Sequence, residues 1–302
     1  MNMKQGNWKQ KSLEKQLDFK KKLGLINNGK FKGVEYEHIL SDEDALLGAM
    51  FYCYKDSIVW NELQTWASEV KGKKINFSGT GLKNMLRSEH IPYNFFHPLE
   101  KLRQTNPLKL IKFLHVLFDD KIQIDEVKSI KIEYASDLSS KDLLNDKTSF
   151  DVYVEFTNNS KLCGLGIEVK YTELSYPYGK SEKENLENKN SEYNKTAKKS
   201  GYFIEETYSN LRSKELKQPW RNHLLGIKLV ELNYLHQFYS IHFYPSGNTY
   251  QNKVSDDYLK CLKPEFANTF IPITFEKFIQ TAEEVFETNT FQDWISYLKD
   301  RY

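Results

Sequence analysis

The spacing of hydrophobic and polar positions changes character near residue 127. Before it, apolar residues recur at helical intervals. Residues 41–70, "SDEDALLGAMFYCYKDSIVWNELQTWASEV", predict a helix opened by Ser41 as N-cap with acids in the first turn. Residues 80–90, "TGLKNMLRSEH", predict another. Residues 93–118 are strongly apolar but carry Pro98 and Pro107, which predicts two helical pieces with a break near Asn106–Pro107. After residue 127 the period drops to two. "VKSIKIEYAS" (127–136), "SFDVYVEF" (149–156) and "KLCGLGIEVKYT" (161–172) alternate as strands do, and the polar "TNNS" between the last two is turn chemistry. These three segments predict an antiparallel meander. The polar stretch 174–200 predicts a mobile loop or a poorly packed helix. Residues 218–236 predict a helix that offers Leu224, Leu225, Ile227, Leu229 and Leu232 to the core, and residues 237–245 a fourth strand. Helices follow at 255–263, 274–288 and 290–300, with Thr274 or a neighbour capping the second. This order predicts an α/β fold with a mixed central sheet flanked by helices.

Composition adjusts this picture little. The 302 residues fit one large domain or a domain with an extension. The expected division is an N-terminal helical extension over 1–75, packed on the core or standing as a separate unit, and a core with C-terminal helices over 76–302. Hydrophobic residues are only 39%, but 19 Tyr, 19 Phe and 5 Trp supply large buried areas. A net charge of +2 excludes no partner class, because the distribution of charge matters more than its sum. Cys53, Cys163 and Cys261 are isolated, which points to structural thiols in a reducing compartment. No run of about 18 apolar residues predicts a membrane span, and the basic N-terminus has no apolar signal core. A soluble cytoplasmic protein is the expectation. The lysine-rich first thirty residues read as a solvated helix, or alternatively as a phosphate-contacting arm.

The chemistry concentrates in "GLGIEVKYTE", 164–173. Residues i and i+2 of a strand share a face, so Glu168 and Lys170 point together while Ile167, Val169 and Tyr171 point away. A reversal near Asn158–Asn159 sets Asp151 roughly opposite residues 167–168, so Asp151 and Glu168 become cross-strand or diagonal neighbours. Two such carboxylates repel unless a proton or cation lies between them. Hard oxygen ligands suit Mg²⁺, with Mn²⁺ as a substitute, and the Ile167 carbonyl could add a further oxygen. The Lys170 ammonium could hold a metal-bound water or stabilise charge on a phosphorane-like transition state. Together these are parts for phosphodiester hydrolysis. The competing reading is a salt-bridged hairpin with Lys170 paired to Asp151 or Glu155 on a solvated face. Glu155 and Glu173 are accessory candidates, for a second metal or for orienting Lys170. Glu89 falls on the apolar stripe of the predicted helix 80–90, following Leu82, Met85 and Leu86. Gln218, Arg221 and His223 form a polar cluster on the later helix. There, Asn222 and His223 read as satisfying local hydrogen bonds.

Asp151, Glu168 and Lys170, in the form D-(x)16-E-x-K on adjacent strands, resemble the PD-(D/E)xK nuclease superfamily. Phe150 stands where its Pro would be. The segments "SFDVYVEF", "GLGIEVKYTE", "QPWRNHLL" and "RSEHIPYNFFHPL" (87–99) extend the resemblance to a bacterial restriction-endonuclease-like group over roughly residues 85–260. The resemblance implies a restriction-endonuclease-like αβββαβ core. It implies Asp151 and Glu168 as metal ligands, Lys170 as the catalytic lysine, Glu89 as a further acid near the metal, and Gln218 and Arg221 near the scissile phosphate. Zinc-ligand spacing and a P-loop are absent. The leading expectation is a Mg²⁺-dependent restriction-type endonuclease cutting double-stranded DNA, as a two-fold homodimer and beside a cognate DNA methyltransferase. Phosphate contacts are expected from the N-terminal lysines and from Lys195, Lys198 and Lys199 of the 189–203 segment. A structure-selective repair or resolvase nuclease, and a non-catalytic nucleic-acid-binding module, are the alternatives.

Overall fold

A computed structural model describes residues 3–302 apart from 73, 137, 287 and 288. Helix α1 (Met3–Lys22) leads into a hairpin of β1 (Asn28–Phe31) and β2 (Val34–Leu40). Helices α2 (Asp42–Leu46), α3 (Ser57–Lys71), α4 (Thr80–Lys83), α5 (Ile91–Thr105) and α6 (Pro107–Leu117) follow. Next come β3 (Glu126–Tyr134), β4 (Phe150–Asn158) and β5 (Lys161–Val169). Helices α7 (Lys180–Glu187), α8 (Glu192–Ser200), α9 (Tyr208–Leu211) and α10 (Lys217–Glu231) cross over to β6 (Gln237–Tyr244). Helix α11 (Thr249–Leu259), β7 (Phe270–Thr274), α12 (Phe275–Val285) and α13 (Asn289–Arg301) complete the order.

The central sheet runs β3-β4-β5-β6-β7. Its first three strands are the antiparallel meander, and β6 and β7 continue parallel to β5. The fold is thus the mixed α/β arrangement that the sequence pattern predicts. Asn159 and Ser160 both take positive φ, 49° and 61°, the backbone of a type I′ turn that matches strand twist. That turn sets Val152 against Ile167 and so fixes which side chains meet across β4 and β5.

Each sheet face has its own core. Val152, Val154, Leu165, Ile167, Ile241 and Phe243 pack with α5, α6 and α12 on one side. Phe150, Tyr153 and Phe238 pack with α8, α10 and α11 on the other. Helix α5 is buried continuously from Ile91 to Glu100, so it is an interior helix rather than an amphipathic surface one. Pro98 lies inside it without breaking it. A proline there leaves the Asn94 carbonyl without its intrahelical donor, and the Trp294 indole N–H supplies one at 2.7 Å. The break falls at Asn106, whose side chain caps α6 by accepting from the Lys109 N–H.

Several expectations are corrected. Residues 80–90 are helical only to Lys83, because Asn84 pairs with Ile39 and the Met85 N–H bonds to the His38 carbonyl. The 41–70 segment is two helices separated by turns in which Gly48 and Lys55 take positive φ. The 174–200 stretch holds α7 and α8, docked through buried Leu186, Tyr193 and Ala197. Helix α11 starts earlier than predicted, at an Asn248 cap. The β1–β2 hairpin and β7 were not foreseen. Helix α1 lies on the molecule: the Trp8 indole donates to the Tyr171 carbonyl at 3.0 Å, and the Gln16 amide to the Arg301 carbonyl at 2.8 Å. All three cysteines are buried free thiols. No helix among the described residues is long and apolar enough to cross a membrane.

Candidate active site

The α10 side of β5 presents Gly164, Gly166 and Glu168 in turn. The glycines are there because aromatic rings fill the space. A Cβ on Gly166 would sit 2.5 Å from the Phe150 ring, and one on Gly164 2.9 Å from Tyr153. Where the rings end, at the C-terminal end of the strand, Glu168 and then Lys170 project on the same face. In the register of β4 and β5, Asp151 is the residue opposite Glu168. On the other flank, β6 places His242 beside Glu168. Burial pushes the His242 imidazole down to about 3, with the Lys170 charge acting the same way, so it brings no charge to the row.

The carboxylates and the lysine form a connected set. The Asp151 Oδ2 accepts the Val169 N–H at 2.7 Å. Lys170 Nζ donates to Glu168 Oε1, and the Asn222 side-chain amide donates to Glu168 Oε2. Glu168, Lys170 and Asn222 are buried, whereas Asp151 is half-buried. Burial and the facing Glu168 raise the Asp151 carboxyl well above its usual range. Burial works against the Lys170 ammonium, but Glu168 and Asp151 outweigh it and raise its pKa. Lys170 is therefore a fixed cation and hydrogen-bond donor in this arrangement, not a base.

A cleft of about 220 Å³ opens over the pair, lined by Lys147, Thr148, Ser149, Asp151, Glu168, Gln218, Arg221 and Asn222. Gln218, Arg221 and Asn222 reach it together because i, i+3 and i+4 share a helix face. Gln218 is half-buried there. The Arg221 guanidinium is engaged within the protein: it donates to Glu182 at 2.7 Å, to Asp146 at 3.0 Å and to Thr148 at 2.8 Å.

Other candidates lie elsewhere. Glu89 sits in a turn rather than on a helix and pairs with Arg87 at 2.6 Å. Neither it nor Glu173 lines the cleft. The Glu173 carboxylate accepts the Ser88 and Tyr171 N–H groups at 2.6 and 3.0 Å, tying the chain just after β5 to the 84–89 turn. Tyr176 fills the gap beyond, its ring centre 5.8 Å from the Lys170 ammonium and 5.9 Å from the Arg87 guanidinium. Ile167 is buried in mid-ladder, between Val152 and Ile241. Its carbonyl faces a neighbouring strand instead of the cleft, and Val169 is the backbone unit beside the carboxylates. Glu155 is four residues along β4, roughly 13 Å from Asp151. Lys195, Lys198 and Lys199 are exposed on α8 and do not line the cleft. Lys195 pairs with Glu192, and Lys199 with Glu231 at the far end of α10. The sequence pattern assigned Asn222 only local hydrogen bonds. Its spacing of four from Gln218 was the available signal.

The donor set fits a hard divalent cation. Among the described residues no three His, Cys, Asp or Glu gather as ligands. Two carboxylates facing one cleft, with backbone, water and substrate oxygens for the rest, is the habit of Mg²⁺. The sequence model of the PD-(D/E)XK nuclease superfamily matches residues 2–302. The chain belongs to the PD-(D/E)XK nuclease superfamily. No curated protein and no solved structure matches it. Membership points to a nuclease with nucleic acid as its substrate class, and PD-(D/E)XK nucleases generally use divalent metal ions.

Proposed function

We propose that this protein is a Mg²⁺-dependent endodeoxyribonuclease of the restriction type, with Mn²⁺ as a substitute ion. The observation that carries the reading is the facing of Asp151 and Glu168 across β4 and β5 with Lys170 on the same strand end, open to a polar cleft. A salt bridge on a solvated face would leave these groups exposed, whereas Glu168 and Lys170 are buried. Asp151 and Glu168 would hold the divalent ion, which would supply Lewis-acid activation of the scissile phosphate and a water of lowered pKa. The chain's own residues do the rest. Asn222 holds the Glu168 carboxylate in place. Lys170 leaves Glu168 Oε1 and directs its ammonium at the attacking water or the phosphate oxygens. Gln218 orients the phosphate from α10. A homodimer would present two such clefts to the two strands of a duplex, and a companion methyltransferase would protect host sites.

The test is cleavage of plasmid and phage DNA in Mg²⁺, beside an EDTA control, an RNA substrate, and the Asp151→Ala and Lys170→Ala variants. Discrete DNA fragments that vanish with EDTA and with each variant are the expected result. Cleavage that survives both substitutions would move the chemistry away from this cleft. DNA binding without cleavage on methylated, unmethylated and branched substrates would leave a binding module instead.

A further inference from the structure

The cations around the cleft differ in what they already hold. Lys170 is on Glu168, and Arg87 is on Glu89. Lys217 is buried and paired with Glu182 at 2.6 Å. Arg221 bridges Asp146 and Glu182. Lys147 is the exception. It lines the same cleft, is exposed, and has no carboxylate partner among the described residues.

Its neighbours in sequence are locked. The Asp146 carboxylate accepts the Thr148 N–H at 2.9 Å, and also the Thr148 and Tyr193 hydroxyls. Arg221 clasps both Asp146 and the Thr148 hydroxyl. The backbone that carries Lys147 is therefore fixed on both sides while its ammonium stays in water. It lies four positions before Asp151, with Ser149 between them on the cleft wall.

We propose that Lys147 is the phosphate-binding cation at the mouth of the cleft, and that Arg221 is a positioning residue that holds the 146–148 segment rather than touching nucleic acid. This rests on the nuclease reading. A phosphate that recruited Arg221 would have to strip it from Asp146 and Glu182, leaving part-buried Asp146 without its cation and Glu182 with Lys217 alone. A phosphate on Lys147 breaks no ion pair and releases only water and counterions.

The experiment compares steady-state cleavage of duplex DNA by the full-length protein and its Lys147→Ala, Lys147→Arg and Arg221→Gln variants over a range of salt. Lys147→Ala is expected to raise KM severalfold, more than it lowers kcat, and to make the salt dependence of kcat/KM shallower by about 0.9 in the log–log slope. Lys147→Arg is expected to restore both. Arg221→Gln is expected to lower Tm while keeping the wild-type salt slope in the protein that remains folded. If Lys147→Ala keeps the wild-type KM and slope while the wild type cleaves, the assignment fails alone. An Arg221→Gln protein that melts like wild type but loses the slope unit would exchange the two roles and overturn it. A wild type that neither binds nor cuts nucleic acid would remove the nuclease reading, and this assignment with it.

Discussion

Glu168 divides one carboxylate between two donors, Lys170 on Oε1 and Asn222 on Oε2. The first donor must leave for the site to work as proposed, and the second must stay. Asn222→Ala would leave a buried carboxylate oxygen with no donor, at a cost in orientation rather than in fold. The expected outcome is a 10- to 100-fold loss of cleavage rate, of the order seen for residues that orient metal ligands, together with a higher Mg²⁺ concentration for half-maximal rate. A single-turnover Mg²⁺ titration decides it, and an unchanged titration curve would assign Asn222 a merely structural part. At this scale the sequence was legible where a strand imposed it. A period of two placed Glu168 and Lys170 together, and a turn of polar residues brought Asp151 across. It failed where helix or loop geometry was assumed. Glu89 was placed by a helix that β2 interrupts, and Asn222 looked like any polar residue on a buried helix. The Ile167 carbonyl failed for another reason: a central strand turns its carbonyls to its neighbours.

Element α10 carries Gln218, Arg221 and Asn222 on the face toward the cleft and Trp220, Leu224, Leu225 and Ile227 in the core. Each large apolar side chain buried this way is worth roughly 1.5–3 kcal/mol, which anchors the polar face. It lies tight against the sheet at Gly226, where an added Cβ would overlap the Phe238 ring. Alanine normally stabilises a helix interior by up to about 1 kcal/mol over glycine. Overpacking a core costs about 1–3 kcal/mol, and a ring wedged between helix and sheet has little room to move. Gly226→Ala is therefore expected to lower Tm, the opposite of its propensity effect, and thermal melts would show it. A gain in Tm would mean that the helix can lift without loss. Elements with a strong period were legible: the meander, α5, α6, α10 and β6. Those missed had weak or contrary signals. Strand β1 has only four residues and closes on Lys32–Gly33, a left-handed pair without the usual Asn-Gly marker. Strand β7 contains Pro272, which argues against a strand except at a sheet edge, and β7 is the edge. Helices α7 and α8 are mostly polar and dock through few buried side chains.

At the scale of the whole molecule, long-range contacts join chain ends that no local pattern connects. Arg301 is fully buried, with its Nε donating to Gln16 of α1 at 3.3 Å. Interior histidines are a second property of the whole. His97 bonds the Tyr52 hydroxyl at 3.0 Å, His223 that of Tyr258 at 3.0 Å, and His242 that of Ser255 at 2.8 Å. Burial pushes each of these three down to about 3. Burial, with Arg301 acting the same way, also holds His90 well below its usual range. In the unfolded chain a histidine titrates near 6.5. As pH falls below that value the unfolded state takes up protons that the folded state refuses, so stability drops. The slope is about 1.4 kcal/mol per pH unit for each such histidine, and it persists until pH approaches the folded value. The lowered carboxyls of Asp146 and Glu182 contribute in a lower window, because the stability they confer is lost only below the unfolded carboxylate range near pH 4. The raised Asp151 carboxyl acts in the opposite sense, because the folded state takes up its proton before the unfolded chain does, but it offsets only one of these four histidines, which therefore dominate between about pH 6.5 and pH 4.5. Tm is expected to change little from pH 8 to 7 and then to fall steeply through that interval. His223→Gln is expected to make the fall shallower by about one proton. Melting curves across the interval check both, and a Tm that stays flat from pH 6.5 to 4.5 would show that the buried imidazoles find protons or water in the folded state.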